Sequence, residues 1–257
     1  MFLSLVSGSS GNASIISDNK TTILIDCGLS GKKLISMLDS INIDIKSINA
    51  LLLTHEHCDH TKGASIVSRK YNIPIFATKG TFDELDLKNI KDENINIIDK
   101  KIDFSIGDII VNPFSISHDA ADPLCYSFYM NNKKYSIATD TGIMSDEIFN
   151  SIKDSDYCML EANHDTDILM YGEYPFLLKQ RIMSDKGHLS NNAAADTAIK
   201  LLENGTKNIM LSHLSDKNNT PHIAYKTVEN ALVNKGAKIG KDINLFVAKR
   251  YEVTKFI

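Results

Sequence analysis

The sequence predicts an α/β protein, built as a four-layer α/β/β/α sandwich of two similar halves. Short apolar runs rich in Ile, Val, Leu, Tyr and Phe alternate with segments of helical spacing along the chain. Each half begins with strands and continues with helices. No Pro/Gly-rich linker or low-complexity segment interrupts this order, so we expect a single domain over residues 1–257. Two such halves are expected to pack their sheets face to face, with helices outside.

The first half opens with a three-stranded meander, followed by a helix whose apolar residues recur at helical spacing. A largely apolar strand then ends directly at His55. The predicted elements are strands at 2–6, 13–17 and 22–26, a helix at 31–41, a strand at 50–54, a helix at 61–71, a strand at 73–77 and a helix at 81–87.

The second half repeats this pattern. It begins with two hairpins, one turning at Gly107-Asp108 and the other at Asn131-Asn132. The predicted elements are strands at 104–106, 109–115, 125–130 and 134–138, a helix at 145–151, a strand at 157–161, helices at 174–183 and 191–203, a strand at 208–212, a helix at 221–234, and strands at 243–247 and 251–254.

The composition is that of an ordinary globular protein, with 43% hydrophobic and 23% charged residues. The formal net charge of −4 excludes a polycation that coats nucleic acid by charge alone. No apolar run reaches the roughly 18 residues of a membrane span, and residues 1–6 are typical of a first strand, not a signal peptide. We therefore expect a cytoplasmic protein without membrane attachment, whose four widely spaced cysteines are free thiols.

The run from His55 to His60 carries the clearest chemical signal. It follows the apolar strand at 50–54, so we expect it in a loop at a strand end, where sites in mixed sheets gather. Residues two apart in such a loop can point to one side. His55 and His57 can therefore share one metal, while Asp59 and His60 serve a second. Imidazole and carboxylate ligands suit Zn²⁺, Mn²⁺ or Fe²⁺.

Three further candidate ligands each follow a predicted strand. They are His118, Asp140 and His213. Strand ends of this kind are expected at the same edge of the sandwich as His55. A carboxylate has two oxygens, so Asp140 can bridge two metals. The sequence thus predicts a centre that binds two divalent cations.

The order and spacing of these residues resemble the five motifs of the metallo-β-lactamase superfamily, over essentially the whole chain. Three further segments, at residues 7–12, 160–165 and 187–191, are similar to the bacterial YycJ/WalJ group. That group is associated with 5′→3′ exonuclease activity on DNA. The resemblance implies the metallo-β-lactamase sandwich, a two-metal hydrolase and DNA as the substrate.

The resemblance also implies a role for each residue of the five motifs. One metal is held by three histidines, the other by a mixed group, one carboxylate bridges them, and one aspartate supports the loop without binding a metal. In that order these are His55, His57 and His118; Asp59, His60 and His213; Asp140; and Asp26.

Glu161 and His188 are similar to the Glu–His pair of RNase Z relatives, in which the carboxylate orients an imidazole that protonates the departing oxygen. A sugar alkoxide is a poor leaving group, so such an acid is worth roughly 10²–10⁴-fold in rate. We therefore expect a hydroxide bridging the metals to attack the phosphorus, with Asp59 essential at the centre and His188 as general acid. Asn12 and His164 are weaker candidates for substrate binding.

Two other interpretations remain open. The protein can be a small-molecule or cyclic phosphodiesterase, or another hydrolase of the same superfamily, because the fold alone does not name the substrate. A non-catalytic module that kept the fold would be expected to lose a ligand, and none is missing. The chain has no room for the long insertion of the β-CASP nucleic-acid processors. A small nuclease acting in DNA end processing or repair is the leading interpretation.

Overall fold

A computed structural model of the chain, described here at residues 1–87 and 89–256, has two seven-stranded sheets packed face to face. The strands are β1 (Phe2–Val6), β2 (Ala13–Ser17), β3 (Thr22–Ile25), β4 (Ala50–Leu52), β5 (Ile75–Ala77), β6 (Ile95–Ile97), β7 (Phe104–Ile106), β8 (Ile109–Ser115), β9 (Leu124–Met130), β10 (Lys133–Ala138), β11 (Tyr157–Glu161), β12 (Asn208–Ser212), β13 (Asn244–Val247) and β14 (Thr254–Lys255).

Helices connect the strands, and several of them cover the outer faces of the sheets. The helices are α1 (Gly31–Asp39), α2 (Cys58–Thr61), α3 (Ala64–Tyr71), α4 (Lys79–Asp83), α5 (Asp146–Ile152), α6 (Thr166–Tyr171), α7 (Phe176–Met183), α8 (Asn191–Glu203) and α9 (Pro221–Asn234). Several begin at a side-chain cap: the Ser190 hydroxyl accepts from Ala193 N–H at the start of α8, and Thr220 caps α9 in the same way.

Both sheets join an antiparallel meander to a parallel run. In the first sheet β1, β2 and β3 are antiparallel, and β3 to β6 are parallel. In the second, β8, β9 and β10 are antiparallel, and β10 to β13 are parallel. The prediction of two similar halves in one sandwich is confirmed. β3 and β10 hold the same place, where the meander meets the parallel run.

Three apolar cores separate the four layers. Side chains from both sheets fill the middle core, including Phe2, Tyr126 and Met210. A second core lies between the first sheet and helices α1 and α3, and a third lies between the second sheet and α5, α8 and α9. The sheets are also tied at one edge, where the buried Tyr126 hydroxyl donates to Leu53 O at 2.7 Å.

The structure corrects several predicted elements. Asp59 and His60 lie in the helical turn α2, not in a loop, and the helix predicted at 61–71 begins only at Ala64. Gly63 lies between these helices, and glycine is required there because a Cβ would lie 2.2 Å from Leu29 O. The strand predicted at 251–254 is found only at Thr254–Lys255, as β14. The residues before it form a turn, across which Thr254 Oγ1 accepts from Lys249 N–H.

Besides α2, the strand β6 and the helix α6 were not predicted, and both are short. The extent of a single domain over residues 1–257 stays a prediction. Across the described ranges, no helix has the length and apolar character needed to cross a membrane.

Candidate metal centre

Strand ends from both sheets meet at one edge of the sandwich, and there they bring together all seven residues predicted to bind metal. His55 lies just after β4, and His118 just after β8. Asp140 follows β10, and His213 follows β12 directly. These side chains are buried, with at most 6% of each residue exposed. The local order that the sequence suggested, a strand followed by a polar ligand, is thus present in both halves.

The candidate ligand atoms fall into overlapping groups, each lying within 4.8 Å of one another. One group is a trio of histidines, and a second is a mixed group of one aspartate and two histidines. Asp140 belongs to two further groups that share histidines with the first two, so its carboxylate lies between them. The groups are His55, His57 and His118; Asp59, His60 and His213; His55, His60 and Asp140; and Asp140, Glu161, His188 and His213.

Two buried atoms at the middle of this cluster make no hydrogen bond within residues 1–87 and 89–256. They are His55 Nε2 and Asp140 Oδ2, the latter lying 3.3 Å from His60 Nε2 without hydrogen-bond geometry. A buried polar atom without a partner is costly, and a cation between them would remove that cost. The residues therefore fit a divalent metal in both their chemistry and their unpaired atoms.

Three of the histidines contact an oxygen atom through Nδ1, on the side of the ring away from the cluster. This contact directs Nε2 of each ring into the cluster. His60 Nδ1 lies 2.8 Å from Asp26 Oδ2, and His213 Nδ1 lies 3.0 Å from Glu161 Oε1. His118 Nδ1 lies 3.1 Å from Gly187 O. A carboxylate or carbonyl on Nδ1 fixes the tautomer and leaves Nε2 for a metal.

Asp26 and Asp140 hold equivalent positions, and their environments differ. Both follow the strand where a meander meets a parallel run, and both have left-handed backbone, with φ of 57° and 56°. Asp26 accepts from Thr54 N–H at 2.9 Å, from the Thr54 hydroxyl and from His60. Its oxygens are thus fully used in holding the chain. Asp140 Oδ2 has no such partner and faces the ligand cluster.

The backbone around Asp59 is packed against the loop after β3. Asn12 N–H donates to Asp59 O at 2.8 Å, and Cys27 N–H donates to His60 O at 2.7 Å. Gly28 is required between them, because a Cβ there would lie 1.7 Å from Asp59 O. Glycine at position 28 thus permits the close approach that places Asp59 beside His60.

Glu161 joins the candidate general acid to the candidate metal ligands. Its buried carboxylate lies 2.8 Å from His188 Nδ1 and accepts from Thr141 N–H at 2.8 Å. Burial tends to raise the pKa of Glu161, but His188 and His213 outweigh it and lower that pKa. Burial tends to lower the pKa of His188, and Glu161 and Asp140 raise it overall. An ionised Glu161 beside a protonated His188 is therefore favoured.

The cluster opens into a cavity of about 240 Å³. Ser9, Asn163 and Ser215 form one wall, and Tyr174, Leu178 and Ile182 form another, with Arg181 beside them. His188 also lines this cavity, and its side chain is 23% exposed. A substrate in the cavity would thus meet the ligand cluster and His188 together.

The two weaker sequence candidates lie deeper than expected. Asn12 is buried, and its amide Nδ2 contacts Gly8 O and His60 Nε2. His164 is also buried, which lowers its pKa to about 4. Neither lines the cavity described above, so their burial weighs against direct substrate contact, and their predicted role stays a prediction.

Sequence reasoning missed two cavity residues, Arg181 and Asp119, which form an ion pair at its rim. Asp119 adjoins His118 and offered a positional signal, but Arg181 lies on α7 outside every motif.

A family model described as a β-lactamase superfamily domain matches residues 21–214. Among curated proteins, the chain is similar to the exodeoxyribonuclease WalJ of Streptococcus pneumoniae, with 39% identity over 246 residues, covering 94% of this chain and 91% of that protein. It is similarly related to the exodeoxyribonuclease YycJ of Bacillus anthracis, with 38% identity over 248 residues, covering 93% and 92%.

Among solved structures, the metallo-β-lactamase fold protein YhfI of Bacillus subtilis superposes with a TM-score of 0.75. The match covers 98% of each chain at 13% sequence identity. At that identity the likeness concerns the fold alone.

Proposed function

We propose that this chain, which belongs to the β-lactamase superfamily of metal-dependent hydrolases, is a DNA exonuclease with 5′→3′ polarity. Two relatives that match more than nine-tenths of the chain bear the name exodeoxyribonuclease. One observation of the site carries the proposal: Glu161 holds His188 at 2.8 Å on the rim of the ligand cluster. A phosphodiester with a sugar alkoxide as leaving group needs such a proton donor.

The proposed cofactors are two divalent cations, Zn²⁺ or Mn²⁺. A histidine trio would hold one and a mixed group the other, with Asp140 shared between them: His55, His57 and His118; and Asp59, His60 and His213. When bound, such metals lower the pKa of water and neutralise charge on phosphoryl oxygens. The trio and the mixed group offer imidazole nitrogens and carboxylate oxygens, the ligand atoms that these ions prefer.

The protein's own residues supply the proton for the leaving oxygen. Glu161 fixes the His188 ring through Nδ1, so Nε2 is left to donate. The raised pKa of His188 keeps that proton in place near neutrality. The buried Asn163 amide donates to His213 O at 2.9 Å and steadies the strand end on the other side of Glu161.

The second candidate function is a small-molecule phosphodiesterase, because the ligand cluster lies in a concave cavity lined by both polar and apolar side chains. The two are separated by incubating the purified protein and Mn²⁺ or Zn²⁺ with labelled duplex and single-stranded DNA, and in parallel with cyclic and bis-aryl phosphodiesters. Release of nucleotides from a 5′ end supports the exonuclease. Turnover confined to the small diesters would overturn it. Asp59→Ala is expected to abolish either activity.

The general acid is tested with His188→Ala. We expect both metals to stay bound and DNA cleavage to fall by roughly 10²–10⁴-fold, while release of p-nitrophenolate falls far less because that group departs unprotonated. His222→Ala, at an exposed position on α9, is the control and should match the parent. Equal slowing on both substrates would count against an acid role.

As part of this proposal, the enzyme acts in the cytoplasm on DNA ends during processing or repair. After DNA damage in cells, we expect this protein to be recovered bound to DNA ends. If it is not found there, the role in repair is contradicted and only the proposed exonuclease reaction stands.

A further inference from the structure

Helix α7 forms one wall of the cavity and buries none of its eight residues. Leu178 and Ile182 line the cavity, together with Tyr174 just before the helix. Leu178 and Ile182 lie four residues apart on one face of α7, and Tyr174 lines the cavity from the bend that precedes the helix. Leu177, at the edge of that face, is 78% exposed. A helix that contributes so little to the core is not explained by packing alone.

Arg181 lies on the same side of α7. Among the described residues that line the cavity, it alone bears a permanent positive charge. Its Nε pairs with Asp119 Oδ2, while within residues 1–87 and 89–256 its two terminal nitrogens make no hydrogen bond. Asp119 Oδ1 lies 3.5 Å from His118 Nε2, so one carboxylate separates the guanidinium from a candidate metal ligand.

The end of α7 is joined to the general acid. His188 N–H donates to Ile182 O at 2.9 Å, and a Cβ on Gly187 would lie 2.1 Å from that same oxygen. Gly187 O also faces His118 Nδ1 at 3.1 Å. This tight turn therefore fixes Arg181 relative to both His188 and His118.

We propose that this face of α7 is a binding subsite for the nucleotide that adjoins the scissile phosphodiester. Arg181 binds its phosphate, and Tyr174 and Leu178 contact its nucleoside. The proposal rests on the exonuclease function proposed above. Guanidinium groups bind phosphate with paired N–H donors, and Arg181 has two terminal nitrogens available. Aromatic side chains stack on bases without regard to sequence, which suits an exonuclease.

Asp119 holds the guanidinium at the rim until a phosphate replaces it. Because the cluster itself takes the scissile phosphate, Arg181 takes the next one along the strand. A substrate with a single phosphodiester, such as bis-p-nitrophenyl phosphate, has no second phosphate for Arg181. The subsite thus makes the enzyme favour a nucleic acid strand over small diesters.

The test compares Arg181→Gln with Lys186→Gln, which removes the same charge from an exposed residue nearby that does not line the cavity. Steady-state cleavage of a 12-nucleotide DNA and of bis-p-nitrophenyl phosphate is measured in Mn²⁺ at several salt concentrations. For Arg181→Gln we expect KM for DNA to rise about 10-fold or more. The slope of log KM for DNA against log salt concentration should become shallower by about 1, because one phosphate contact is lost. Turnover of the small diester by this variant should fall far less than its cleavage of DNA, and Lys186→Gln should resemble the parent on both substrates.

A second variant tests the nucleoside contact. Tyr174→Leu is expected to raise KM for DNA about 5-fold or more, with a smaller rise in KM for the small diester. Arg181→Lys should recover part of the lost DNA affinity. Unchanged DNA kinetics in Arg181→Gln, or equal losses on both substrates, would overturn the subsite alone. A parent protein that cleaves the small diester and no DNA would overturn the exonuclease function, and the subsite with it.

Discussion

The two candidate metal positions use the same kinds of side chain but differ in charge. In the histidine trio, burial and the nearby His60 hold the pKa of His55 well below its usual range, and burial lowers the pKa of His118. In the mixed group, burial opposes the charged form, yet Asp140 and other carboxylates raise the pKa of His213 to about 10. The same carboxylate, with Asp26 and Asp59, raises the pKa of His60.

The difference arises from the groups behind the rings. A carbonyl holds His118, and the Thr54 hydroxyl lies 3.0 Å from His55 Nδ1. Carboxylates hold His60 and His213. A carboxylate makes an imidazole more basic and a better metal donor once its proton is lost. The trio is therefore ready to accept a cation, whereas the mixed group must first release protons.

The largest effect is expected where the two positions meet. Asp140→Asn removes the shared anion and should lower activity by more than about 100-fold, beyond the usual range for outer partners of metal ligands. Metal content after dialysis should fall at both positions. Asp196→Asn, at an exposed position on α8, is the matched control. Full metal content in Asp140→Asn would show that this carboxylate does not join the two groups.

A smaller loss is expected from Asp26→Asn, which removes the anion that contacts His60 Nδ1 directly and reaches His55 only through the Thr54 hydroxyl. The second metal should bind roughly 10–100-fold more weakly, while the first is retained. Competition with a chromophoric chelator measures the two affinities separately. Equal weakening of both metals would contradict the division into a trio and a mixed group.

The charge difference also predicts a pH effect. His213 has a raised pKa of about 10, so at pH 7.5 it is protonated before metal is added and must lose a proton to bind. Affinity for the second metal should therefore rise with pH, by about tenfold per unit for each proton released, and level off near pH 10. Calorimetry of the chelator-treated protein in buffers of different ionisation enthalpy measures this release. Proton release on binding of the first metal, and none with the second, would contradict the assignment of the extra protons to the mixed group.

The smallest effect is expected at Cys58, inside the ligand run. Its side chain is exposed and belongs to no ligand group within the described residues. Cys58→Ser should leave both metal affinities unchanged and alter the free energy of unfolding by no more than about 0.5 kcal/mol. A loss of metal in this variant would add a sulfur ligand to one of the two groups.

Much of this centre could be predicted because each ligand follows an apolar strand. His118, Asp140 and His213 are far apart in sequence, and only their shared position after a strand suggested one site. The prediction placed Asp59 in a loop, however, because a four-residue helix such as α2 has too few positions to show a period. The strand β6 was missed for the same reason.

Arg181 could not be predicted, and neither could the buried positions of Asn12 and His164. Arg181 faces the cavity because Gly187 lets the end of α7 approach His188, a close contact that leaves no periodic pattern. Asn12 and His164 lie in polar segments typical of exposed loops. Their burial depends on contacts with distant segments, such as the bond from Asn12 N–H to Asp59 O.

The hydroxyl of Ser7, next to the first strand, accepts from His213 N–H at 2.7 Å across 206 residues. At the usual rate of synthesis, roughly 5–20 residues per second, His213 is made about 10–40 s after Ser7. During this time the nascent chain carries His55 to His60 but lacks the groups that complete the centre. Because His213 is among the last residues of the centre to be made, the candidate metal centre can be completed only late in translation.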